Sequence, residues 1–168
     1  MVQDVQAYAH DLIARDNEIV SMKEHVNKMD VLAYRDTLTG AGNKAAYEKA
    51  TRRLEWDILA GNAHFAIVVT DLNYLKHVND SYGHDKGDEY LRSAYNLMRE
   101  VFVDSPIFRV GGDEFAVIVQ HEELARCTQL IDELKRRAWG TMQDSSLDPW
   151  QRVSLACGYA SYEPGNDV

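Results

Sequence analysis

The feature that most limits how this chain can fold is the short run His64-Phe65-Ala66-Ile67-Val68-Val69-Thr70. A continuous apolar stretch of this length marks a strand covered on both faces rather than one that faces water. Covering it takes a layer on each side, and the flanking segments supply them. Asp36-Thr37-Leu38-Thr39-Gly40 makes a turn, and Asn43-Lys44 opens a helix expected to reach about residue 60, with Ala46, Ala50, Leu54 and Ile58 on its buried side. Beyond Leu72 the chain is polar and Asn-rich, then helical over residues 87–103 until Pro106 stops it. Residues 107–110 and 115–120 are strand-like runs around Gly111-Gly112-Asp113-Glu114, a hairpin signal. A helix over 122–140 and a last strand over 152–160 complete the order helix, strand, helix, hairpin, helix, strand. This order predicts an α/β sandwich with a mixed sheet flanked by helices.

The first 35 residues follow a different period. Val5, Leu12, Ile19, Val26 and Ala33 recur at heptad spacing, and Tyr8, Arg15, Met22 and Met29 follow in the same step. An a/d pattern over about four heptads, with no Pro or Gly inside it, predicts an N-terminal coiled-coil helix over 1–35 that pairs two copies in parallel. Arg15 at a d position weakens the seam locally or sets its register. The alternative is one amphipathic helix lying on its own domain, which is then 36–168.

Composition excludes some functions. The chain has 168 residues, enough for one domain plus an appended element. Its formal charge of −9 argues against a nucleic-acid binder, which needs surplus Lys and Arg to neutralise phosphates. A single metal-held triphosphate needs only local compensation. Cys127 and Cys157 match no metal-ligand spacing, and Cys157 reads as a small buried side chain, in keeping with a reducing, cytoplasmic location. No stretch is apolar enough to span a bilayer and the N-terminus lacks a signal-peptide core, so no membrane contact is expected within the chain. Any sensor is expected upstream.

Asp71 follows the buried strand, where functional groups of α/β sheets collect. Asp113 and Glu114 sit at the hairpin tip. If the two segments are neighbours, Asp71 and Asp113 approach each other, and two close carboxylates repel unless a cation lies between them. Magnesium, with manganese as its substitute, suits hard oxygen ligands and bridges to phosphates. Taken singly, each acid is better explained as a solvated turn residue. Gly111 and Gly112 permit positive φ and leave room for a ligand. Lys76 offers a compact cation to a phosphate. Asn79 and Asp88 offer the amide and carboxylate that a guanine edge needs.

Together these residues are specific. The stretch from Asp71-Leu72-Asn73 through Tyr82-Gly83-His84-Asp85-Lys86-Gly87-Asp88 resembles the first long motif of the GGDEF family, and Phe108-Arg109-Val110-Gly111-Gly112-Asp113-Glu114-Phe115 resembles its signature hairpin. The turn at Asp36 to Lys44 is similar to the family's opening motif, with Ala41 and Lys44 where Leu and Arg are usual. The resemblance implies a cyclase fold related to polymerase palm domains. It also implies a diguanylate cyclase working as a homodimer, which joins two GTP into cyclic di-GMP with release of pyrophosphate. By position, Asp71, Asp113 and the Leu72 carbonyl would hold the metal. Asp113, with Glu114 beside it, would assist deprotonation of the 3′-hydroxyl, and Lys76 would stabilise phosphate charge. Asn79, His84, Asp88, Leu75, Gly111, Gly112 and Arg109 would surround the nucleotide. A catalytically inactive module that binds GTP or cyclic di-GMP is the competing reading. Leu75 replaces the usual Phe. The family's Arg-x-x-Asp product-inhibition site falls on Phe102 and Ser105, so it is expected to be absent. Relatives continue past the last strand into a further helix with a phosphate-touching basic residue, so this chain is expected to be shortened.

Overall fold

The computed structural model describes residues 14–23, 29 and 33–165. Residues 14–23 are helical, and Ile19, Met22 and Met29 are exposed at 49%, 60% and 63%. Val5, Tyr8, Leu12 and Val26 lie outside the described residues.

From the turn onward the elements are α1 (Lys44–Leu59), β1 (Phe65–Leu72), α2 (Leu75–Tyr82), α3 (His84–Val101), β2 (Ile107–Arg109), β3 (Glu114–Val119), α4 (His121–Leu124), α5 (Cys127–Gln143), a 3₁₀ turn (Pro149–Gln151) and β4 (Leu155–Tyr162). Asn43 caps α1, its side-chain oxygen accepting from the Ala46 amide at 3.0 Å, as expected of an N-cap Asn. The sheet order is β2-β3-β1-β4. The α/β layering stands, but the strand pairing differs from the mixed sheet expected, because each hydrogen-bonded pair is antiparallel. The topology explains this. Each helical crossover returns the chain to a strand parallel to the one it left but one place removed, a split βαβ arrangement, and an antiparallel strand fills the gap. Among the described residues, an isolated parallel bridge joins Gly42 to Phe108.

The helical segment after Leu72 also differs. It starts at Leu75, not near residue 87, and is cut in two at Gly83, whose φ of 91° only glycine adopts readily. Helix α2 escapes a sequence reading because Val78 is its one fully buried side chain. Helix α3 is plainly amphipathic: Tyr90, Leu91, Ala94, Tyr95, Met98 and Val101 are buried at helical spacing.

The main core joins α3 and α5 to one face of the sheet through Ala66, Val68, Leu72, Met98, Phe115, Val117 and Leu134. A smaller cluster, Leu54, Phe65, Phe108 and Ile118, fixes α1 on the other face. Burying a side chain such as Met98 or Phe115 contributes roughly 2 kcal/mol. The second face of β1 is covered only in part. Phe65 is buried and Ile67 half-buried, whereas Val69 and Asp71 are exposed. The strand expected to be buried on both faces is therefore bare at its far end, beyond the reach of α1. Cys127 is buried and Cys157 half-buried, and burial pushes both thiols above their ordinary range.

Candidate active site

The bare end of β1 is where the acidic residues meet. Asp71 is paired in register with Glu114 of β3, so their side chains leave the same face directly opposite each other. The next amide, Leu72 N–H, donates to the Asp113 carbonyl at 3.0 Å. The hairpin tip thus lays Asp113 and Glu114 against Asp71 and Leu72. On the other side β4 sets Ala156 and Gly158 opposite Asp71 and Val69, and such small residues leave the face open. Like charges placed directly opposite one another are destabilising. Folding alone gives no reason for this arrangement.

Neither Gly111 nor Gly112 has positive φ, contrary to the conformational role expected of them. Gly111 instead makes room: a Cβ there would stand 2.5 Å from a Glu114 carboxylate oxygen, whereas one at Gly112 would meet open space. The tip is braced by Arg109, whose Nε and Nη2 donate to the Gly112 carbonyl at 3.2 and 2.6 Å. Its Nη1 reaches both carboxylate oxygens of Asp36 at 3.4 Å. Asp36 also accepts from the Thr39 amide and hydroxyl at 2.9 and 2.7 Å. Burial disfavours ionisation of Asp36, but the Thr39 hydrogen bonds and the Arg109 charge outweigh it and hold the carboxyl below its ordinary value. Arg109, expected beside the nucleotide, is engaged within the protein and ties the Asp36 turn to the hairpin.

The remaining candidates lie on α2 and α3. Leu75 packs against the main core, and Lys76 is exposed. Asn79 and Asp88 are half-buried, and His84 is exposed at the start of α3. Gly87 brings the two helices together, because a Cβ there would run into the Asn79 side-chain amide. That close approach sets Asn79 beside the turn of α3 that carries Asp88.

Between β1 and α2 the backbone is strained. Tyr74 has φ 67°, an uncommon value for a bulky residue. The turn is anchored from elsewhere. The Asn73 amide donates to the Ser154 carbonyl at 3.0 Å, and its side-chain Nδ2 donates to Ser154 Oγ at 3.1 Å. The Tyr90 hydroxyl lies 2.7 Å from the Asn73 carbonyl and 3.1 Å from the Ser154 carbonyl, and accepts from the Ser154 amide at 3.0 Å. Burial pushes the Tyr90 phenol above its ordinary value, against the Ser154 hydrogen bond, so it stays protonated near neutrality.

No group of three or more His, Cys, Asp or Glu side chains suited to a metal occurs among the described residues. Two carboxylates and a carbonyl are a poor set for zinc but fit magnesium, which is commonly held by one or two carboxylates and shared with substrate phosphates. At the expected inhibition site Phe102 is 1% exposed. The buried Ser105 hydroxyl donates to Glu123 at 2.5 Å, a carboxylate that also accepts from the Val103 and Asp104 amides.

Tyr90, Ser154 and Glu123 carry no sequence signal of a role in the site. Tyr90 occupies an ordinary core position of α3, and its polar partners lie far away in the chain, so periodicity carries no trace of them. Asp36 was legible as a turn residue, but its link to Arg109 was not.

Comparisons with known proteins bear on this geometry. A family model described as diguanylate cyclase, GGDEF domain, matches residues 33–168. Diguanylate cyclase DgcS of Shewanella oneidensis is 35% identical over 66% of this chain, which covers 39% of that protein. Diguanylate cyclase VdcA of Vibrio cholerae is 27% identical over 76% of this chain, covering 37% of it. The chain thus spans well under half the length of these curated relatives. In structure it resembles the coiled coil and GGDEF domain of DgcB from Caulobacter crescentus, solved in complex with c-di-GMP. The TM-score is 0.77 at 23% identity, over 92% of this chain and 83% of that one. The fold, an antiparallel sheet flanked by helices, is thus shared with a GGDEF domain, and the chain belongs to the family described as diguanylate cyclase, GGDEF domain.

Proposed function

We propose that this domain condenses two GTP molecules into cyclic di-GMP, each 3′-hydroxyl oxygen attacking the other nucleotide's α-phosphorus as the bond to pyrophosphate breaks. The observation that carries this reading is the register of β1 and β3, with Asp71 opposite Glu114 and Leu72 bonded to Asp113. Asp71, Asp113 and the Leu72 carbonyl would hold magnesium, which neutralises phosphate charge when bound. Asp113, with Glu114 beside it, takes the hydroxyl proton. Lys76, exposed on α2, meets the charge that develops on the phosphates. Asn79 and Asp88 take the guanine edge, with Asp88 accepting from its N–H donors, and His84, Leu75, Gly111 and Gly112 line the nucleotide. Positioning and charge neutralisation are what phosphoryl-type transfer requires, without a covalent intermediate on the protein.

One domain holds one GTP, so two must face each other, and residues 1–35, whose heptad spacing suits a coiled coil, pair the chains and set that meeting. The exposed Ile19, Met22 and Met29 agree with an intermolecular seam. Action in the cytoplasm downstream of a sensor belongs to the same reading. Among the described residues no helix is long and apolar enough to cross a membrane. The test is incubation with magnesium and an equimolar mixture of GTP and ATP, with products identified by mass. Cyclic di-GMP alone is expected; a mixed or adenine product overturns the guanine assignment, and no product overturns the cyclase.

A further inference from the structure

Every peptide bond described is trans, so the Asn73 N–H and the Leu72 C=O point in opposite directions. The Asn73 N–H is committed to the Ser154 carbonyl on the β4 side. The Leu72 carbonyl is therefore turned to the opposite side, where its own N–H already bonds the Asp113 carbonyl. Whatever holds Ser154 and Asn73 together fixes the direction of a carbonyl that the proposed function assigns to the metal. A single buried hydroxyl does so. Tyr90, 1% exposed, donates its one hydroxyl proton to the Asn73 carbonyl, the shorter of its two carbonyl contacts, and accepts from the Ser154 amide. The turn it grips leads straight into the left-handed backbone at Tyr74. Left-handed backbone at a bulky residue costs on the order of 1–3 kcal/mol and persists only where its surroundings impose it.

We infer that Tyr90 is a positioning residue for the metal: its hydroxyl holds the Asn73–Tyr74 turn so that the Leu72 carbonyl faces the Asp71 and Asp113 carboxylates. It touches neither substrate nor metal and acts through Asn73 and Ser154. The inference rests on the proposed reading of Asp71, Leu72 and Asp113 as metal donors. Removing the hydroxyl while keeping the ring preserves the packing of α3, so the effect falls on the turn rather than on the core.

The test is the affinity for Mn²⁺, followed by electron paramagnetic resonance with a non-cyclisable GTP analogue, in the wild-type chain and in Tyr90→Phe. The variant is expected to bind Mn²⁺ about tenfold more weakly, the scale on which outer-sphere partners of metal ligands act. Guanosine affinity, which depends on Asn79 and Asp88, should stay unchanged, a split that general destabilisation does not produce. Asn73→Ala, which removes only the side-chain clamp on Ser154 Oγ, should weaken Mn²⁺ in the same direction by less, and it decides the matter if Tyr90→Phe does not fold. Equal Mn²⁺ affinity in variants and wild type overturns the role of Tyr90 and leaves the metal site standing. A wild-type chain that binds no Mn²⁺ overturns both.

Discussion

At the scale of single residues, the site is held by side chains that touch no reacting atom. Arg109 joins the Gly112 carbonyl to Asp36, whose carboxyl Thr39 and Arg109 hold below its ordinary value of 3.8. A carboxyl depressed in the folded state stabilises the fold above its unfolded value, and that stabilisation is lost as pH falls through the depressed folded value. Asp36→Asn should lower the stability of the chain by about 1 kcal/mol at pH 7. The difference from wild type should shrink below pH 4 and vanish in stronger acid. Urea unfolding at several pH values measures this, and a difference independent of pH would remove Asp36 ionisation from the account. Tyr90 acts in the same indirect manner on the neighbouring turn.

At the scale of elements, the acidic site exists because α1 stops short of the far end of β1 and β4 offers only small residues there. Gly87 lets α2 and α3 approach until Asn79 packs on the helix that carries Asp88. An alanine in place of a helical glycine ordinarily stabilises by up to about 1 kcal/mol, but here its Cβ would occupy the space of the Asn79 amide. Gly87→Ala should therefore raise the Kd for guanosine at least about tenfold while the thermal midpoint changes little. Calorimetric titration would show it, and unchanged affinity would detach Asn79 from the guanine. Much of this was legible beforehand. The apolar run at Phe65 and the hairpin around Gly111 carry strong local signals, so the approach of the end of β1 to the hairpin tip follows from two neighbouring strands, although the residue directly opposite Asp71 is Glu114 rather than Asp113. The short α2 was not legible, because a helix with one buried side chain has almost no period. Nor was the pairing: local signals mark where strands lie, while their direction is decided by crossovers that skip a neighbour. Neither Gly111 nor Gly112 adopts the positive φ expected of them, and only at Gly111 would a Cβ meet a neighbour, the Glu114 side chain, a contact that chain order does not display.

At the scale of the whole molecule, the proposed function gives one open acidic face to each nucleotide, which leaves a ring of two unclosed by a single copy. The proposed reaction would need a second copy, and the heptad residues of 1–35 are the part of the chain suited to recruit it. Sedimentation of the chain with and without 1–35 should show a dimer only for the longer form; equal association would move the dimer contact elsewhere. The central claim is the chemistry of the acidic hairpin, and its most direct measurement is product formation from GTP and magnesium, followed by mass, in wild type and Asp113→Ala. Wild type should release cyclic di-GMP and pyrophosphate, while Asp113→Ala should keep the native circular dichroism and make none. A wild-type chain without product, or an Asp113→Ala chain that turns over at the wild-type rate, would contradict it.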